Sequence, residues 1–198
     1  MARDMGPVLK KCRSLGIEPA YLGIDKKSNR AVRTSRRKPS EYGLQLREKQ
    51  KAKFIYGVLE KPFRNLFNRA QSMKTGTAGE NLLALLELRI DNVMFRMGFG
   101  RTRAEARQIV NHKHVLVNGK CVNIPSYTLK AGDKIEIKEK HKNTIRYKDV
   151  FEVTSGRIVP EWLEVDHEAH TGIVKEIPTR DQIDVPVDEV LIVELYSK

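Results

Sequence analysis

Residues 89–138 read RIDNVMFRMGFGRTRAEARQIVNHKHVLVNGKCVNIPSYTLKAGDKIEIK. Ile90, Val93, Met94 and Met97 recur at i, i+3, i+4 and i+7, so they share one face of a helix. Gly98 is suited to the positive φ that ends such a helix. A second helix carries its own start signal. The Thr102 hydroxyl can accept the Glu105 N–H while Glu105 reaches back to the Thr102 N–H, a capping box. Ala106, Ile109 and Val110 form the apolar side of this helix. Arg103, Arg107 and Asn111 fall four apart on another side, all able to donate to phosphate oxygens. Val115-Leu116-Val117 is a β-branched run, and Asn118-Gly119 tolerates the two positive φ angles of a type I′ turn, which predicts a hairpin with Lys120–Asn123. Lys134–Lys138 alternates and predicts a third strand. The unit is two short helices on a small antiparallel sheet, with Arg101, Arg103, Arg107, His112, Lys113, His114 and Lys120 along one edge.

Charge extends this reading outward. The chain has 198 residues and a net charge of +12, from 37 Lys+Arg against 25 Asp+Glu. The charge is unevenly placed: residues 1–53 carry +10, residues 54–150 carry +9 and residues 151–198 carry −7. The first three quarters would attract a polyanion and the tail would repel one. Cys12 and Cys121, far apart in sequence, fit a reducing compartment better than a stapled secreted fold. No apolar run is long enough for a membrane span, and no secretion signal is visible.

Residues 1–40 are rich in Lys and Arg, are interrupted by Gly and Pro, and read as a basic extended arm. Two readings stay open for it: a solvated arm, or one that orders along RNA phosphates. Ser40 can cap a helix running to Tyr56 and closed by Gly57. Pro62 suits the first turn of the next helix, whose buried side is Phe63, Leu66, Phe67 and Ala70. Thr77 and Glu80 form another capping box, and the leucines from Leu82 to Leu88 predict one long helix leading into the helix at Ile90. Beyond Lys138, a helix anchored by Ile145, Val150 and Phe151 is expected. It is followed by strands at Trp162–Val165 and Ile173–Ile177 around a turn at Gly172. Asp188–Ser197 fits both a short helix capped by Asp188 and a buried strand.

The string from Arg89 to Tyr127 resembles the RNA-binding module named after protein four of the bacterial small ribosomal subunit. Ser40–Val58 (SEYGLQLREKQKAKFIYGV) and Asp188–Lys198 (DEVLIVELYSK) resemble the flanks of that ribosomal protein. The likeness spans roughly the whole chain and is weakest over the first forty residues. It implies an α+β fold: a basic arm (1–40), a helical domain (41–87, joined by 186–198), the RNA-binding module (88–148), and a helix with a hairpin (149–185). It favours a helix for the last segment, packed on the helical domain.

It also implies a function. The expectation is a structural, non-enzymatic constituent of the small ribosomal subunit, in the cytoplasm. It would bind a multi-helix junction in the 5′ part of small-subunit rRNA early in assembly. Ribosomal protein five, protein three and messenger RNA on its entrance path are the other expected partners. The expected RNA contacts are Arg36, Arg37, Lys38, Arg47, Lys49, Lys51, Lys53, Arg101, Thr102, Arg103, Arg107, Asn111, His112, Lys113, His114, Asn118, Lys120 and Tyr127. Tyr127 is as readily placed beneath the sheet, and His112 and His114 can equally cap the helix C-terminus.

Some relatives of this family pin the arm with a zinc cluster. Here residues 1–40 hold only Cys12 and no His, so no zinc is expected. His167 and His170, with Asp166 and Glu168 beside them, have the composition of a metal site. On a hairpin turn their side chains have no reason to converge, so no metal is expected there either. Cys121 in a strand reads as a small buried apolar residue. The competing function is an RNA-modifying enzyme guided by the module. The roughly fifty residues after the module contain no catalytic string, which weighs against it.

Overall fold

A computed structural model describes residues 6–26, 28–30, 39–142 and 144–197. In chain order its helices are α1 (Val8–Leu15), α2 (Glu41–Tyr56), α3 (Glu60–Gln71), α4 (Ala78–Glu87), α5 (Ile90–Arg96), α6 (Arg103–Asn111), α7 (Glu139–Lys142), α8 (Ile145–Thr154) and α9 (Glu189–Tyr196). Its strands are β1 (Val115–Val117), β2 (Lys120–Val122), β3 (Lys134–Ile137), β4 (Leu163–Asp166) and β5 (Thr171–Val174). The chain divides into two compact units, residues 1–83 with 184–198, and residues 84–183.

In the first unit α2 is the longest helix, and its ends follow from local chemistry. The Ser40 side chain accepts the Gly43 N–H, and Gly57 closes the helix at φ 63°. The helix α9 packs along α2. Asp188 caps α9 by accepting the Val190 N–H at 3.0 Å, which settles the ambiguity of this segment in favour of a helix. Tyr196 stacks on Phe67 at 4.5 Å between centroids, and Phe63, Phe67 and Ala70 form the buried side of α3. Leu66 is only half-buried. The Thr77–Glu80 capping box forms in both directions, at 3.1 and 3.3 Å. The described part of the arm is not extended throughout. Val8–Leu15 is a helix against α2, closed by Gly16 at φ 70°, with Cys12 and Ile17 buried. Burying these two side chains supplies the apolar contact that a solvated arm lacks.

In the second unit the strands form one antiparallel sheet in the order β2-β1-β3-β5-β4. The C-terminal hairpin therefore extends the sheet of the module, with β5 pairing to β3. Its core combines Val93, Met94, Met97 and Phe99 with Ala106, Ile109 and Val110 of α6 and Val115, Ile135, Ile137, Tyr147, Trp162 and Val174. Each fully buried Val, Ile, Met or Phe side chain among them stabilises the unit by about 1.5–3 kcal/mol.

Four expectations are corrected here. The single long helix is broken. Arg89 is extended at ψ 135° and bridges to Thr128, because the Ile90 N–H donates to Tyr127 O and the Leu129 N–H to Leu88 O, both at 2.9 Å. The turn of the C-terminal hairpin is not at Gly172. That glycine lies within β5, where an added Cβ would meet Met97 Sδ at 2.6 Å, and the chain reverses through residues 167–170. In α8, Ile145 is exposed, and Tyr147 joins Val150 as the buried anchor. Cys121 is exposed, because it pairs with Leu116 on the face of the sheet opposite the buried Val115 and Val117.

Candidate nucleic-acid interface

The start of α6 is fixed from several sides. The Thr102 hydroxyl accepts the Glu105 N–H at 3.2 Å, as the sequence predicts. The return bond differs by one residue, since Glu105 Oε2 accepts the Arg101 N–H at 2.9 Å. The Arg101 carbonyl in turn accepts from Arg157 Nη2 at 2.9 Å. Both peptide groups of Arg101 are thus held by side chains, while its own side chain is exposed.

The row Arg103, Arg107 and Asn111 does not face solvent as a row. Arg103 is buried, at 8% exposure. Its Nε donates to Asn92 Oδ1 at 2.7 Å, and its guanidinium lies 4.2 Å over the Phe95 ring. Asn92 donates to the Glu87 carboxylate at 2.6 Å, and Arg96 pairs with that same carboxylate at 2.7 Å. Arg107 is half-buried and pairs with Asp91 at 2.9 Å; Arg89 grips the same Asp91 with two bonds, at 3.1 and 2.7 Å. The physical reason is burial. Asp91 and Glu87 lie inside the unit, and a buried carboxylate requires cationic donors. Asn111 is half-buried near the C-terminus of α6.

Arg101, His112, Lys113, Asn118, Lys120 and Tyr127 form the exposed rim, with Thr102 half-buried beside them. Lys113 has φ 62°, where the chain leaves α6 for β1. A non-glycine residue in that region costs on the order of 1–3 kcal/mol and persists because the surrounding structure demands the turn. Asn118 and Gly119 take φ 48° and 76°, the expected hairpin turn. The Asn118 amide is used internally, donating to Asp133 at 2.8 Å and accepting the Lys134 N–H at 2.9 Å. Tyr127 is exposed and does not lie beneath the sheet.

His114 is half-buried. Its Nδ1 lies 3.0 Å from the Tyr147 hydroxyl, and its ring stacks on His141 at 3.8 Å. Burial, then the neighbouring His141 and His112, bring its pKa down to about 4. Burial likewise lowers His141 and raises Tyr147. The ring of His170 stacks on Phe151 at 4.1 Å, and His167 is exposed on the hairpin turn. Among the described residues no cluster of His, Cys, Asp and Glu is arranged to hold a metal ion.

The cations of α2 are held within the first unit. Arg47 donates to Leu15 O at 3.3 Å, capping α1. Lys49 and Lys53 both pair with Glu60, at 2.9 and 2.7 Å, and Lys51 pairs with Glu48 at 2.6 Å. Burial opposes ionisation of Glu60, but its bonds to Lys53, Lys49 and Tyr196 outweigh it and hold the carboxyl at about 2. Arg36, Arg37 and Lys38 lie outside the described residues.

Sequence reasoning missed Asp91, Asn92, Arg157 and His141 as the groups that arrange this region. Arg89 and Asp91, two residues apart across a helix start, were the one available signal. The other three meet their partners only in the folded unit.

A two-helix, antiparallel-sheet unit with an exposed basic rim defines a protein of the S4-domain class. Residues 88–135 match the S4 domain, and residues 3–87 match the Ribosomal protein S4/S9 N-terminal domain. The chain is 77% identical to small ribosomal subunit protein uS4 of Lachnoclostridium phytofermentans, over all of both chains. It is 69% identical to that of Lachnospira eligens and 51% identical to that of Natranaerobius thermophilus, again covering both chains fully. The chain belongs to the family of small ribosomal subunit protein uS4, structural ribosomal proteins carrying an S4 RNA-binding domain. The relatives bear the name of a ribosomal protein rather than an enzyme, which sets the RNA-modifying reading aside.

Proposed function

We propose that the chain is a primary rRNA-binding protein that helps nucleate assembly of the small subunit in the cytoplasm, docking on a multi-helix junction in the 5′ domain of its rRNA. The observation that carries this reading is the set of exposed basic side chains at both ends of α6 and beside the β1–β2 turn: Arg101 before the start of α6, His112 and Lys113 past its end, and Lys120 after the turn. Arginine and lysine there would contact phosphates and set position, while RNA shape and 2′-hydroxyls set selectivity. Asn118 and Tyr127 are further exposed members of this face, Thr102, Arg107, Asn111 and His114 are half-buried ones, and Arg103 supports it from within. The tail of net charge −7 would repel RNA and suits contact with neighbouring proteins, of which ribosomal protein five and protein three are the candidates by family likeness. A place on the messenger-RNA entrance path and a contribution to decoding accuracy rest on the same likeness.

The test is binding to an in vitro transcript of the small-subunit rRNA 5′ domain across a salt series. The expected result is a steep fall of affinity with salt, with a log–log slope of roughly −0.7 to −0.9 per phosphate neutralised. A flat salt dependence, or no footprint on that domain, would overturn the reading.

A further inference from the structure

Carbonyls in the last turn of α5 and in the loop before α6 accept from side chains at the end of α8 and just after it. Arg157 Nη1 donates to Phe95 O at 2.6 Å and to Gly100 O at 2.9 Å, and its Nη2 donates to Arg101 O at 2.9 Å. The Thr154 hydroxyl donates to Gly98 O at 2.7 Å, and the Arg157 N–H donates to Thr154 O at 3.0 Å. The Arg157 guanidinium also lies 4.3 Å over the Phe95 ring, which carries Arg103 at 4.2 Å. One side chain thus spans from the last turn of α5 to the residue before the Thr102 cap. A planar guanidinium can hold three carbonyls at once, whereas an ammonium is a point donor on a flexible stem. Residues 154–157 lie outside the stretch that matches the S4 domain, residues 88–135.

We infer that Arg157, assisted by Thr154, is a positioning residue for RNA binding. It fixes the backbone of Arg101 and the first turn of α6, and so the direction in which the Arg101 side chain and the α6 N–H groups are presented to phosphate. This rests on the proposed reading of the rim as the RNA face. The functional binding unit then includes the segment after α8.

The test uses the full chain and the same 5′-domain transcript. Arg157→Lys keeps the charge but not the three-carbonyl grip, Arg157→Ala removes both, and Thr154→Val loosens the same loop from a second contact. The expected result is a loss of affinity of about tenfold for both Arg157 variants and a smaller loss for Thr154→Val, with the salt slope near that of the unaltered chain. Amide exchange should rise at residues 98–102 and stay low in β1 and β3. If Arg157→Lys binds normally while Arg101→Ala and Lys120→Ala bind weakly, the positioning role is overturned and the rim reading stands. A salt slope that falls for Arg157→Ala as it does for Arg101→Ala would make Arg157 a direct contact and also overturn the role. Normal binding by every variant, Arg101→Ala and Lys120→Ala included, would remove the rim reading and this inference together. Should Arg157→Ala not fold, Arg157→Lys and Thr154→Val decide the matter alone.

Discussion

The helix α2 and the rim around α6 both looked basic in sequence, yet they dispose of their charge in opposite ways. Arg47, Lys49, Lys51 and Lys53 each bond to a partner in their own unit. Arg101, Lys113 and Lys120 extend from the rim exposed. A cation already serving a carboxylate or a helix end gives up that contact, or shares it, to serve a phosphate. An exposed one exchanges only water and counterions, whose release favours binding. Net charge therefore measures attraction at a distance, and pairing decides which groups hold the structure.

The strongest way to sharpen this comparison lies in the most deeply paired cations. Asp91→Ala leaves the Arg89 and Arg107 guanidiniums without their shared carboxylate. It should cost about 3–5 kcal/mol, read as a lower midpoint in urea denaturation. A cost under about 1 kcal/mol would mean that the pairing holds nothing. Next comes the rim. Lys113→Glu with Lys120→Glu should weaken binding of the 5′-domain transcript by tenfold or more while thermal stability moves little, because exposed side chains rarely change stability by more than about 0.5 kcal/mol. Equal loss of stability would erase the contrast with α2.

A third measurement follows the rim's histidine stack. His114 is held neutral, with its folded pKa near 4 against an ordinary 6.5. The unfolded chain takes up this proton first, so stability is full above about pH 6.5 and declines as pH falls toward 4. A melting series should show that decline, and His114→Gln should make it shallower. The smallest effects belong to α2. Lys49→Met or Lys53→Met should cost about 0–1 kcal/mol and leave transcript affinity within about twofold. Glu60 has its carboxyl lowered from 4.5 to about 2, so its contribution is present above pH 4.5 and is lost as pH falls toward 2. Glu60→Gln should remove that acid limb. A large affinity loss from the lysine changes, with stability intact, would break the comparison outright.

What the sequence disclosed was local. Ser40, Thr77 and Thr102 act as caps, and Asn118-Gly119 makes its turn, because the bonds involved span two to four residues. What it concealed depends on segments that meet late. Nothing near Arg89 announces that Thr128 will pair there and break the helix. Gly172 resembled a turn residue, but the space it leaves is filled by Met97, the residue just past α5. Helical spacing grouped Arg103 with Arg107 and Asn111 correctly on one side of α6. It could not say that Asn92 and Phe95 would wait on that side. The exposed rim was legible as charge, while the clamp from Arg157 joins residues about sixty positions apart and leaves no mark on any short window.

The packing of α9 on α2 has a consequence for the order in which the molecule comes into being. Residues 84–183 are contiguous and can close their core as soon as they emerge during translation. The first unit cannot, because Tyr196 and its partner Glu60 are separated by 136 positions. At elongation rates of roughly 5–20 residues per second, the early helices stay without their last neighbour for about 7–27 seconds. The portion made first is therefore the portion completed last.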